Sequence, residues 1–218
     1  AVNSLNTARY SLGGAGTQTA ALYGSGRIQP GASPADSEEY NGTGWTEGNN
    51  VNSARKITAG AGTQTAGLIF GGYSTPPEVT YGNAEEYNGS AWSESGDLNT
   101  ARSQLGGAGT QTAAIGAGAP GTGVSSEEYN GTGWTEGNNL NTGRAAMAGF
   151  GVQTAAVMAC GGPGTKNNVE EYDGTSWATA NSASVSLNAR CGCKGGTIAS
   201  GLIGGGGPTA SATAEEYT

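Results

Sequence analysis

The chain has 218 residues, 42 of them glycine, with 12% charged residues and a net charge of −8. It contains no histidine, which removes Ser-His-Asp and Cys-His nucleophile systems and every histidine-based zinc or copper site. Nine basic against seventeen acidic residues argue against nucleic acid, whose binding rests on neutralising phosphates, and no apolar run approaches a membrane span.

Taken from the N-terminus, Asn6-Thr7-Ala8-Arg9 opens a Gly/Ala-rich stretch, followed by Gly16-Thr17-Gln18-Thr19, a short apolar run and a glycine-rich break. A variable loop, Glu38-Glu39-Tyr40, Asn41-Gly42 and Trp45 complete the unit. Four strands are predicted, over Ala8–Ala15, Gln18–Gly24, Ser37–Tyr40 and Gly44–Glu47. The small residues of the first strand suit close approach to another backbone, where glycine is tolerated in strands. Asn41-Gly42 predicts a type I′ hairpin turn, as do Asn88-Gly89, Asn130-Gly131 and Asp173-Gly174.

The unit then recurs. Glu-Glu-Tyr ends at Tyr40, Tyr87, Tyr129, Tyr172 and Tyr217, at spacings of 47, 42, 43 and 45 residues. A period of about 45 residues built from short strands signals propeller blades. The expectation is therefore an all-β, five-bladed β-propeller of four-stranded antiparallel blades, one domain over residues 1–218. The last copy stops at Thr218, where its Asn-Gly-Trp hairpin is due, so N- and C-terminal strands are expected to close the ring and remove open sheet edges. The chain starts at Ala1 without a signal-peptide pattern, which predicts a processed or excerpted chain.

The repeat carries most of the charge. Arg9, Arg55, Arg102, Arg144 and Arg190 recur at one phase, and each is expected to pair with a repeat glutamate through charge-assisted hydrogen bonds. A ring of five arginines binding an anion is the alternative. Adjacent residues on a strand face opposite ways, so Glu38 and Glu39 cannot flank a glycosidic bond together. Trp45, Trp92, Trp134 and Trp177 are expected to fill the outer gaps between blades. Cys160 reads as a buried thiol, with a disulfide to Cys191 or Cys193 left open. No metal site and no cofactor is expected.

The Tyr–Trp pairs Tyr40/Trp45, Tyr87/Trp92, Tyr129/Trp134 and Tyr172/Trp177 follow glycine pairs at Gly71-Gly72 and Gly161-Gly162. Looser versions are Gly24-Ser25-Gly26 and the run from Gly204 to Gly207, and an arginine opens each following unit. Over essentially the whole chain this pattern resembles kelch repeats. The short Tyr–Trp hairpin and Gly-Thr-Gln-Thr depart from the common kelch pattern. They are similar to the compact Gly/Ala/Thr-rich repeats of bacteriophage virion proteins, a likeness that implies a tail, neck, fibre or capsid-surface component, localised to a virion or otherwise extracellular.

The loops between second and third strands are unequal, and loops on a rigid scaffold carry recognition. Tyr73 and Tyr81 make the second loop the most aromatic, and Arg27 and Lys166 add isolated charge; these four are the candidate ligand contacts. The expected role is non-enzymatic: a structural or adhesion component whose loop face meets a host glycan, a surface protein or another virion subunit. The alternative is a stand-alone lectin with repeated pockets between blades.

Overall fold

The computed structural model describes residues 3–121, 123–164, 166–184, 196–197, 200–204 and 214–217, and every element among them is a β-strand. The first sheet is β1 (Gly13–Gly16), β2 (Ala21–Gly24), β3 (Ser37–Tyr40) and β4 (Trp45–Gly48). The second has β5 (Ala59–Gly62) and β6 (Gly67–Phe70). A two-stranded ribbon, β7 (Tyr73–Ser74) and β8 (Val79–Thr80), then precedes β9 (Ala84–Tyr87) and β10 (Trp92–Ser95). The third is β11 (Gly106–Gly109), β12 (Ala114–Ala119), β13 (Gly123–Tyr129) and β14 (Trp134–Glu136). The fourth is β15 (Ala148–Val152), β16 (Ala155–Ala159), β17 (Val169–Tyr172) and β18 (Trp177–Thr179). Each is an antiparallel meander with its first strand innermost, the arrangement of a propeller blade.

The motif spacing predicts five four-stranded blades, whereas the structure has four among the described residues. The fifth repeat gives a three-stranded sheet, β19 (Gly196–Thr197), β20 (Ser200–Gly204) and β21 (Ala214–Tyr217). Closure of the ring by terminal strands is not found among the described residues. The N-terminal segment instead lies on its own first blade: Asn3 Nδ2 donates to Thr43 O (2.8 Å), and Trp45 Nε1 donates to Asn3 O (3.1 Å).

Two local expectations also change. The innermost strands start later than Ala8 predicts, because the residue two positions beyond each described repeat arginine is left-handed: Ser11, Ile57, Gln104 and Ala146 have φ between 53° and 60°. L-residues rarely adopt that conformation, and a strand cannot run through it. The Asn-Gly turns are not type I′ either. Tyr40 pairs with Trp45, which leaves a four-residue loop, and only Gly42 (φ 91°), not Asn41, has positive φ. Asn41 keeps an ordinary φ because its Oδ1 closes the loop, accepting from the Thr43 and Gly44 N–H groups at 3.0 Å each.

Small inner residues permit the radial packing. A Cβ on Gly149 would lie 2.5 Å from Gly107 O and 2.8 Å from Gly107 N, so β15 and β11 meet backbone to backbone. Gly and Ala residues of the innermost strands β1, β5, β11 and β15 line a cavity of about 230 Å³, together with Phe150 and with Thr17 just beyond β1. Farther out, each Tyr–Trp pair packs ring to ring at 4.8 to 5.0 Å. Trp92 then reaches back to the first sheet, within 3.2 Å of the position a Cβ on Gly24 would take.

Candidate functional site

The repeat arginines and the first glutamate of each pair form buried networks. Arg9, Arg55, Arg102 and Arg144 pair with Glu38, Glu85, Glu127 and Glu170 in turn. In the second sheet Glu85 Oε1 accepts from Arg55 Nη1 (2.5 Å) and Ser53 N (3.1 Å), while Oε2 accepts from Asn52 N (2.6 Å) and Nδ2 (3.0 Å). The guanidinium also donates to a backbone carbonyl at the end of the strand, Gly71 O at 2.9 Å. Burial lowers the Arg144 pKa, with Glu170 acting in the opposite direction. These ion pairs tie the entry loop of each sheet to its third strand, with Arg9 Nε, Arg55 Nη2 and Arg102 Nε left buried without a hydrogen-bond partner.

In the fifth copy only the start of this network lies among the described residues. Ala183 N donates to Asn167 O as Leu140 N does to Val124 O, and Ser184 N donates to Glu215 at 2.8 Å, in the place of Asn141 on Glu170. Arg190, Cys191 and Cys193 lie outside the described residues, and so do the cysteine pairings considered above. Cys160 is buried, and its carbonyl accepts from Arg144 Nη1 at 3.0 Å.

The second glutamate of each pair faces the next sheet. Tyr87 OH donates to Glu39, Tyr129 OH to Glu86 (2.6 Å), Tyr172 OH to Glu128 and Tyr217 OH to Glu171 (2.5 Å). Burial first, and then the carboxylate partner, push the Tyr87 and Tyr129 phenols up to about 12, and raise those of Tyr172 and Tyr217 as well. On the opposite face a glutamine clamps neighbouring sheets. Gln64 Nε2 donates to Tyr40 O (2.6 Å), Gln111 to Tyr87 O (2.7 Å) and Gln153 to Tyr129 O (2.7 Å). Sequence reasoning missed this clamp, although a glutamine recurs at one phase in Gly-Thr-Gln-Thr and Gly-Val-Gln-Thr.

With the repeated groups engaged in the scaffold, one unequal cluster stands out on the variable-loop face. After three of the four described repeat arginines the next residue forms a bridge with the residue opening the variable loop: Tyr10 with Arg27, Lys56 with Tyr73, and Ala145 with Gly162. In the first sheet the Arg27 guanidinium sits 5.7 Å from the Tyr10 ring centroid; in the second the Lys56 ammonium sits 4.8 Å from that of Tyr73. The fourth sheet has small residues at the same place. Lys56 is buried and donates to Thr75 Oγ1. Burial lowers its pKa, the positive charge of Arg27 lowers it further, and Glu78 opposes the shift. Tyr81 OH donates to Ser74 Oγ (3.3 Å), and Gln29 Nε2 to Tyr10 OH (3.2 Å).

The structure therefore brings Arg27, Tyr73 and Tyr81 into one region of the first two sheets, while Lys166 belongs to the fourth. Lys56, a basic residue outside the repeat arginines, is the residue that sequence reasoning missed. Its partner Tyr73 is seventeen positions away, and only the equivalent Tyr10–Arg27 spacing could have signalled the pairing. Among the described residues no group of three or more Cys, Asp or Glu side chains is placed to hold a metal ion.

No protein-family model matches the chain, and no curated protein does. Among solved structures the chain is similar to the one titled "Structure of YjhT", with a TM-score of 0.73 and 13% identity, over 94% of this chain and 75% of that one. At that identity the likeness establishes the fold alone, and the chain is an all-β propeller.

Proposed function

We propose that the protein is a non-enzymatic structural or adhesion component of kelch-like repeat type, carried on a phage particle or another extracellular assembly. Its variable-loop face would contact a host glycan, a surface protein or a neighbouring virion subunit. The observation that carries this reading is asymmetry at an otherwise repeated position. Cation–aromatic pairs occupy it in the first two sheets (Tyr10–Arg27 and Lys56–Tyr73), and Ala145 with Gly162 in the fourth. A scaffold role would repeat, as the Arg–Glu networks do; a recognition role need not. Half-buried tyrosine faces beside the Arg27 guanidinium, with buried Lys56 holding the Tyr73 ring, suit a polar ligand bearing ring hydroxyls or anionic groups.

The lectin alternative needs repeated polar groups between blades, and there Tyr, Glu and Gln are already bonded to one another. Kelch type is supported by the recurring Tyr–Trp packing and buried arginines, and the phage assignment by likeness of repeat style. The test is binding to a glycan array by the purified chain and by a variant carrying Tyr73→Ala and Tyr81→Ala. Saturable binding lost in the variant is expected. Binding that survives the change, or turnover of any bound glycan, would overturn the reading.

A further inference from the structure

On the variable-loop face the first two sheets are joined in one main-chain row. Tyr10 and Arg27 exchange backbone hydrogen bonds, from Tyr10 N to Arg27 O at 3.0 Å and from Arg27 N to Tyr10 O at 2.9 Å. Lys56 and Tyr73 do the same, at 2.9 Å and 3.0 Å. Gly26 N donates to Arg55 O at 2.9 Å, and the next residues on either side of that bond are Arg27 and Lys56. The two cations are therefore set side by side between two tyrosines, Arg27 over the Tyr10 ring and Lys56 over that of Tyr73.

These cations lack what the repeat arginines have. Arg9, Arg55, Arg102 and Arg144 each meet a glutamate, whereas neither Arg27 nor Lys56 forms an ion pair among the described residues. Arg27 Nε is buried without a hydrogen-bond partner. Lys56 is buried too, and of the three donors of an ammonium one goes to Thr75 Oγ1. Glu78, the carboxylate that acts on Lys56, is exposed and makes no ion pair with it. Like charges side by side disfavour each other, and a buried charge without a counter-ion is costly. The fold does not require either one. Ala145 and Gly162 make the same two backbone hydrogen bonds in the fourth sheet, at 2.9 Å each, without any charge.

We infer that Arg27 and Lys56 form one anion site, which selects glycans carrying a carboxylate or a sulfate group. The inference rests on the glycan-binding reading of the loop face. The planar Arg27 guanidinium supplies paired hydrogen bonds to two oxygens of either group. Lys56 adds an unneutralised charge behind it, where burial limits screening by salt. The half-buried Tyr10 and Tyr73 rings bound the site and suit the sugar that carries the anion. Glu78 is the carboxylate that the ligand competes with.

The test is nuclear magnetic resonance of the purified full chain with isotope-labelled lysine, whose signals come from Lys56, Lys166 and Lys194 alone. The probes are galactose, galacturonate, a sulfated galactose and inorganic sulfate, at constant ionic strength with chloride as the balancing anion. An acidic sugar is expected to shift the Lys56 signal saturably, to leave that of Lys166 in place, and to bind at least about tenfold more tightly than galactose. Whichever acidic sugar binds more tightly identifies carboxylate or sulfate as the ligand. Arg27→Met is expected to weaken this binding at least about tenfold, and Glu78→Gln, at an exposed position, to strengthen it. Circular dichroism should match the wild type in both, since glycine takes the place of Arg27 in the fourth sheet. A Lys56 signal that moves with none of the anionic probes, or as readily in Arg27→Met, overturns the inference. So does a Glu78→Gln variant that binds no more tightly than the wild type. Galactose binding as tightly as its acidic forms overturns it as well, but leaves glycan recognition standing. Inorganic sulfate that shifts Lys56 while no sugar binds keeps the anion site and overturns the glycan reading.

Discussion

Replacing Glu85 by alanine removes the acceptor at the centre of a buried network while leaving its cation in place. Arg55 and Glu85 are both fully buried, at 0% exposure. The lost carboxylate accepts from Arg55 Nη1, from Asn52 N and Nδ2 and from Ser53 N. Stranding a buried charge in this way costs about 3–5 kcal/mol. Orphaning backbone N–H groups adds part of about 1–3 kcal/mol, because the two losses overlap. Against a total stability of about 5–15 kcal/mol, Glu85→Ala should bring the protein close to unfolding, with a urea midpoint lower by about 2 M. The adjacent Glu86→Ala removes mainly the Tyr129 hydroxyl bond of 2.6 Å and should cost about 1–2 kcal/mol. The double change Arg55→Met with Glu85→Met removes both charges but leaves Asn52 and Ser53 without their acceptor, so it should fall between the two. Urea titrations followed by tryptophan fluorescence measure all of these. A Glu85→Ala loss no larger than that of Glu86→Ala would refute the reasoning.

Alkaline pH gives an independent reading of the inter-sheet contacts. Tyr87 and Tyr129 titrate near about 12 in the folded protein and near about 10 when unfolded. Their raised pKa stabilises fully below about pH 10, and that contribution is lost as pH rises through about 12. The urea midpoint should fall across that window, and Tyr87→Phe with Tyr129→Phe should flatten the fall. Gln111→Ala, which loses bonds to Gly67 O and Tyr87 O, should cost about 1–2 kcal/mol in thermal or urea unfolding, while Gln18→Ala should be neutral for the isolated chain. Gly149→Ala drives a methyl group into the Gly107 backbone and should cost at least about 1–3 kcal/mol. Gly133→Ala has nothing within 4 Å and should stay within about 0.5 kcal/mol by the same measurement.

The sequence was most legible where one residue does one local job. The second and third predicted strands of the first copy end at Gly24 and Tyr40, as β2 and β3 do, because a glycine-rich break and an Asn-Gly loop fix them. The arginine–glutamate pairing was visible because both partners recur at one phase. What escaped depended on partners brought together only by the fold. The left-handed Ser11, Ile57, Gln104 and Ala146 share no residue type, so nothing in composition marks where the inner strands begin. The count of four-stranded blades failed because the motif in residues 215–217 fixes only the third strand of a sheet. The fourth strand and ring closure depend on chain that, at the N-terminal end, folds back onto Thr43 and Trp45. Lys56 was missed because its partners Tyr73 and Thr75 belong to the ribbon hairpin of the second loop, which has no counterpart among the described residues of the other copies.

The proposal of an unequal recognition face is tested most directly by calorimetric titration of the purified chain with the best-binding glycan of the array. One site per chain, lost on changing Lys56→Met together with Tyr73→Ala, is the predicted result. Several equivalent sites per chain, untouched by those changes, would contradict the account and place binding in the repeat itself.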